Sequence, residues 1–239
     1  YCSIILLLGS RPNPPPPMAI ICFFISDTLS SILKGGSMNK IIFYTSFLTL
    51  LLLNSQNSFA GKDLKQNINT HQEQFEQVAL KIWDFAEVGY QEYKSSALLK
   101  QQLLKEGFSI KENIANIPTA FIAEYGNGSP VIAILGEFDA LPGMAQSASP
   151  FKEKYKNNKA GHACGHHLFA AGSTWASVAI KEWLNANKQE GTIRLYGTPA
   201  EEGGSGKVYM TRDGYFNDVD VVLHWHPGSA NHASPRTSN

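Results

Sequence analysis

Val131-Ile132-Ala133-Ile134-Leu135-Gly136 is apolar at odd and even positions alike. Side chains alternate between the two faces of a strand, so a strand apolar on both must be covered on both, as a central strand between helix layers is. The strand reads as Val131 to Phe138, with Thr119 to Tyr125 as a preceding strand. The connector Gly126-Asn127-Gly128-Ser129-Pro130 is rich enough in turn residues to join the two as a hairpin. Upstream, Thr70 with Glu73 forms a capping-box pattern that opens a helix carrying Phe75, Val78, Ala79 and Ile82. Ser95 or Ser96 is placed to cap a second helix, with Ala97, Leu98, Leu99, Leu103 and Leu104 on its apolar side and Gly107 as its stop. Downstream the pattern predicts a helix from about Leu168 to Asn185, a strand Thr192 to Gly197, a short helix Ser205 to Arg212 and a strand Val219 to Leu223. This alternation is α/β: a three-layer sandwich around a mixed, mostly parallel sheet. The irregular stretch Gly143 to Gly161, rich in Ser, Lys and Asn, reads as a surface loop.

With 239 residues, 43% hydrophobic and 17% charged, the chain has enough apolar material for a core and is no disordered tail. Twenty Lys+Arg balance twenty Asp+Glu, and no basic run interleaves with aromatics, which argues against nucleic acid as a partner. From Met38 the chain reads Met-Asn-Lys, an apolar run Ile41 to Leu53, and Ser58-Phe59-Ala60. That is the pattern of a signal peptide cleaved after Ala60, so residues 38–60 imply export to a periplasm or the exterior without a stable membrane anchor. Residues 1–37 precede that Met, contain the Pro14 to Pro17 run and show no helical or strand period; they are read as an upstream segment outside the native protein. Cys2 and Cys22 fall there. The mature region 61–239 then keeps only Cys164, which has no partner for an internal disulfide.

Cys164 stands in Gly161-His162-Ala163-Cys164-Gly165-His166-His167. Two further stretches, Thr198-Pro199-Ala200-Glu201-Glu202-Gly203-Gly204 and Leu223-His224-Trp225-His226-Pro227, bring paired carboxylates and more imidazole. Thiolate, imidazole and carboxylate form the mixed set that suits Zn²⁺ or Mn²⁺, and the second glutamate leaves an acid free to handle a proton, the mark of a hydrolytic site. Separately each motif has a plainer reading: an acidic helix start for Glu201-Glu202, loop or cap histidines for His162 and His167, a flexible turn for Gly203 to Gly206, core packing for Trp83, Phe85, Tyr90 and Tyr93. Their co-occurrence favours one metal site.

Together with Gly136-Glu137-Phe138-Asp139-Ala140-Leu141-Pro142-Gly143, these motifs resemble, in order and spacing, those of the M20 metallopeptidase family. They are most similar to its amidohydrolase branch of aminobenzoyl-glutamate hydrolases and hydrolases of indole-acetyl amino acids, and the likeness spans nearly all of residues 70–230. The resemblance implies two divalent ions, Zn or Mn, held by Cys164, His166, Glu202 and one histidine of the last motif. Spacing from Asp220 favours His226 and the end of the apolar run favours His224; His226 is taken as the ligand, with His224 the alternative and only one of the two expected to face the metals. Glu201 matches the general base. Asp139, and less definitely Glu137, match acids behind the metals that orient ligands. The implied reaction is metal-assisted hydrolysis of the amide bond of an N-acyl or N-aroyl amino acid or a small dipeptide. Family members continue into a lid or dimerisation domain and a further catalytic segment. This chain ends at Asn239, so little activity is expected of it alone and a homodimer only of a longer protein. A non-catalytic secreted metal- or amino-acid-binding protein is the alternative.

Overall fold

A computed structural model describes residues 2–8, 68–228 and 232–234. The expected signal peptide, 38–60, lies outside the described residues. The elements in chain order are β1 (Cys2–Leu8), α1 (Gln72–Phe85), α2 (Tyr93–Lys105), β2 (Ser109–Glu112), a 3₁₀ turn (Ile114–Asn116), β3 (Phe121–Asn127), β4 (Val131–Gly136), β5 (Leu141–Pro142), β6 (Ala160–Gly161), α3 (His166–Asn187), β7 (Gly191–Gly197), a helical turn (Glu201–Gly204), α4 (Gly206–Arg212), β8 (Val221–Pro227) and β9 (His232–Ser234). Seven strands form one mixed sheet in the order β2-β3-β7-β4-β8-β1-β9. Its centre is parallel, β4 pairing with β7 on one side and β8 on the other, while β3 runs antiparallel to β7 and β1 antiparallel to β8. Residues 1–37 were expected to hold no regular element, yet Cys2–Leu8 is a strand, as its apolar run Ile4 to Leu8 permits.

The two-faced apolar strand behaves as its sequence demands. Ile134 packs with Phe75, Ile82, Leu99 and Val178 from α1, α2 and α3, whereas Ala133 and Leu135 face the other layer, with Ile114, Tyr196 and Met210. That alternation fixes the three layers, because a one-residue slip would exchange the faces.

The expected hairpin is not there. β3 and β4 are not paired: β7 lies between them, antiparallel to one and parallel to the other. The turn-rich connector arches over the start of β7, where the Thr192 N–H donates to Pro130 O (2.9 Å) and the Thr192 hydroxyl to Gly128 O (2.8 Å). A strand apolar on both faces gains more from two buried neighbours than from one hairpin partner.

The helix starts also differ from expectation. α1 opens at Gln72 after His71 rather than on a Thr70 cap, and no side chain caps it. α2 opens at Tyr93, which puts Ser95 and Ser96 inside its first turn. There the Glu87 carboxylate, from the preceding loop, accepts from the backbone N–H groups of Lys94 (3.0 Å) and Ser95 (2.8 Å), satisfying donors that a helix start leaves free. α3, β7 and α4 fall within two residues of their expected bounds.

His71 Nε2 stands 2.7 Å from Glu182 Oε1, joining the start of α1 to α3. Burial opposes the charged imidazole, but the Glu182 carboxylate prevails and the His71 pKa is raised. A raised folded-state pKa stabilises below the unfolded value, about 6.5, and the gain is lost as pH rises through the folded value. Urea unfolding should therefore show about 0.5–1 kcal/mol of stability at pH 5.5 that is missing at pH 8.5 and absent from Glu182→Gln at both. The same pH dependence in the variant would refute the pairing.

Candidate metal centre

The central parallel strands set the site, since the segments that follow β4 and β7, and the end of β8, converge beyond their carboxyl ends. β4 delivers Glu137-Phe138-Asp139, β7 delivers Thr198 to Glu202, and β8 itself carries His224 and His226. α3 begins against them. Its N-cap, Gly165, has φ +83°, and a Cβ there would lie 3.0 Å from the Pro227 ring, so glycine lets the start of α3 close onto the end of β8.

The Asp139 carboxylate, 1% exposed as a residue, joins two of these segments. Its Oδ1 stands 2.9 Å from His166 Nδ1 and its Oδ2 accepts from the Glu202 N–H at 2.8 Å. Nδ1 also lies 3.1 Å from the Asp139 carbonyl, so it is the nitrogen that donates, and Nε2 is turned to the site. Cys164 Sγ is 3.3 Å from His226 Nε2, and donor atoms of Cys164, His166 and His226 all fall within 4.8 Å of one another. Glu201 Oε2 and Glu202 Oε1 each stand 3.9 Å from His166 Nε2. Phe169, fully buried, supports the histidines from beneath, its ring 5.0 Å from that of His224 and 6.1 Å from that of His226.

Both histidines of β8 reach the site, contrary to the expectation that only one would. Residues two apart on a strand share a face, so His226 meets Cys164 while His224 Nε2 meets Glu137 Oε1 at 3.2 Å. His226 is therefore the one that joins the sulfur. His162 and His167 stay outside. His162 Nε2 donates to the Ile82 carbonyl (3.0 Å), the two rings lie 5.1 Å apart, and burial pushes each pKa down to about 4. None of the four aromatics expected in the core is buried there: Tyr90 and Tyr93 are exposed, Tyr90 sending its hydroxyl to the Gly204 carbonyl, while Phe85 and Trp83, the latter tilted against Tyr155, are half-buried.

The electrostatics fit a cation. Burial lowers the His166 pKa, yet the Asp139 and Glu137 carboxylates outweigh it and push it up to about 10. Burial, together with the carboxylates of Glu202, Glu201 and Glu137, pushes the Cys164 thiol up to about 12. An array that holds protons so tightly is one whose negative charge a divalent ion would relieve. His166 Nε2, Glu137 Oε2 and Glu202 Oε1 are buried without a hydrogen bond, although the first two stand only 2.9 Å apart. A buried acceptor with no partner, as Glu202 Oε1 is, is costly unless something coordinates it.

Sequence reasoning missed Glu92 and Lys207. Glu92, fully buried, accepts from the Ala200 N–H (2.8 Å) and the Thr119 hydroxyl (2.9 Å), propping the residue before Glu201; burial raises its pKa. Lys207 pairs with Glu137. In the sequence each looks like a solvated helix-start residue, and only tertiary placement distinguishes them.

Residues 133–237 match the model of peptidase family M20/M25/M40. The chain carries an M20 peptidase domain. It is 44% identical to a subunit of the p-aminobenzoyl-glutamate hydrolase of Escherichia coli over 67% of this chain and 34% of that protein, and 32% identical to the hippurate hydrolase of Campylobacter jejuni over 65% and 39%. Among solved structures it is similar to a dinuclear metal-binding M20 peptidase of Bacillus subtilis, with TM-score 0.51 and 27% identity, covering 63% of this chain and 41% of that one. The chain thus spans between a third and two fifths of the length of those relatives. Their names are those of hydrolases, which lends no support to a secreted binding protein.

Because Asp139 alone orders both His166 and the Glu202 backbone, Asp139→Asn should weaken Zn²⁺ binding about 10- to 100-fold in calorimetric titration. An unchanged affinity would show that His166 is oriented by something else.

Proposed function

We propose that the protein carrying this chain is a metal-dependent hydrolase of amide bonds in N-acyl or N-aroyl amino acids or small dipeptides. The observation that carries the reading is the meeting of Cys164 Sγ and His226 Nε2 at 3.3 Å beside His166, which brings together two segments some sixty residues apart in the chain. Names of M20 relatives, including an N-acetyl-L-cysteine deacetylase and a hippurate hydrolase, support the substrate class.

Two divalent ions, Zn²⁺ or Mn²⁺, would supply Lewis acidity to the amide carbonyl and to water when bound. Cys164, His166, His226 and Glu202 are the residues to hold them, and Asp139 keeps the His166 tautomer. Burial separates the roles of the paired glutamates. The Glu202 side chain is 17% exposed with one oxygen buried and unpartnered, as a ligand requires, whereas that of Glu201 is 42% exposed and can meet substrate and solvent. Glu201 takes the proton of the attacking water and returns it to the leaving amine nitrogen. The Ala200 N–H held by Glu92 fixes the backbone from which Glu201 projects.

Assayed with Mn²⁺ or Zn²⁺ against N-acyl amino acids, the protein should lose roughly a hundred- to ten-thousand-fold in kcat on Glu201→Gln while retaining its metal. His226→Ala should lose metal, and His224→Ala should keep it. Turnover that survives Glu201→Gln, or metal lost on His224→Ala instead, would contradict these roles.

We further propose that residues 38–60 direct export. Fractionation of cells expressing the chain should find it outside the cytoplasm, processed after Ala60; unprocessed cytoplasmic protein would refute this.

A further inference from the structure

His166 belongs to two donor sets. One is Cys164/His166/His226 and the other Glu137/His166/Glu201, each with ligand atoms within 4.8 Å of one another. Its Nδ1 is committed to Asp139, so a single lone pair, on Nε2, serves both. The sets differ in chemistry: the first offers sulfur and nitrogen, the second two carboxylates and a nitrogen. Softer ions such as Zn²⁺ favour the first, and an oxygen-preferring ion such as Mn²⁺ favours the second.

What distinguishes the second set is Lys207. From the first turn of α4 its ammonium sits on Glu137 Oε1, which His224 Nε2 also approaches at 3.2 Å. The Glu137 side chain is 3% exposed and is faced at once by His166, His224 and Lys207. A carboxylate already neutralised at one oxygen is a poorer ligand at the other, and a fixed ammonium beside the set repels a second positive charge.

We propose that Lys207 is a positioning residue that selects the donor set: seated on Glu137, it withholds that carboxylate from cations and leaves His166 to the Cys164/His226 set. This deepens the reading of the site as a metal centre and rests on it. Lys207 reaches the donor sets through its ion pair with Glu137 and acts by way of that carboxylate. Its side chain is 30% exposed, and Met and Gln keep most of its length.

The test is calorimetric titration of the metal-free chain with Mn²⁺ and with Zn²⁺, with thermal melts confirming that each variant folds. Lys207→Met and Lys207→Gln should bind Mn²⁺ at least about tenfold tighter than the native chain, with a smaller change for Zn²⁺, and Lys207→Arg should match the native chain. In a Glu137→Gln background the gain for Mn²⁺ should fall below about threefold, because the withheld ligand is no longer there. An Mn²⁺ affinity unchanged in Lys207→Met would overturn the inference while leaving the metal centre intact. A gain that persists fully in Glu137→Gln would overturn it too, reducing Lys207 to a plain repulsive charge. If the native chain takes up neither ion, or its Zn²⁺ binding survives Cys164→Ser, the metal-centre reading itself falls and takes this inference with it.

Discussion

The two hydrogen bonds of the Asp139 carboxylate are the constraint on which the site depends. One oxygen holds His166 by Nδ1, at the first turn of α3; the other holds the Glu202 backbone, just beyond β7. A carboxylate that is itself buried can hold two segments in this way only if the strand leading to it is rigid, and β4 is paired on both edges and packed on both faces. The order of causation runs from an apolar strand, through the acid placed just past its end, to the direction in which an imidazole lone pair points.

Around that hub the site accumulates negative charge, with Glu137, Glu201, Glu202 and the Cys164 sulfur close to one ring nitrogen. Among the described residues, Lys207 pairs directly with this group and His224 Nε2 stands 3.2 Å from the same Glu137 oxygen. The high pKa values of His166 and Cys164 are the same fact seen from the proton's side: without metal, the array retains protons to offset its charge. Coordination and protonation compete for the same lone pairs, which is the usual signature of a metal site.

Much of this was legible in the sequence, and the exceptions are instructive. The strand 131–136, the long helix after Cys164 and the three motif segments could be read because local pattern and tertiary need agree there. The pairing of β3 could not, since a connector rich in Gly, Asn and Ser satisfies a hairpin and an arch over β7 equally well. The start of α2 misled because a carboxylate of the preceding loop, Glu87, did the work assigned to the serines. The His224/His226 choice turned on strand geometry: both reach the site, and what separates them is whether the neighbour is Glu137 or Cys164. Glu92 and Lys207 left no local signal, because their role lies in what they touch across more than sixty residues of chain.

The central claim is that a sulfur and an imidazole from one segment and a second imidazole from β8 share one cation. Cobalt(II) titration of the metal-free chain tests it most directly, through the near-ultraviolet charge-transfer absorption that only a thiolate bound to cobalt gives. The account predicts a saturating band that vanishes in Cys164→Ser and collapses in His226→Ala, yet persists in His224→Ala. Absence of the band in the native chain, or a band indifferent to His226, would contradict it.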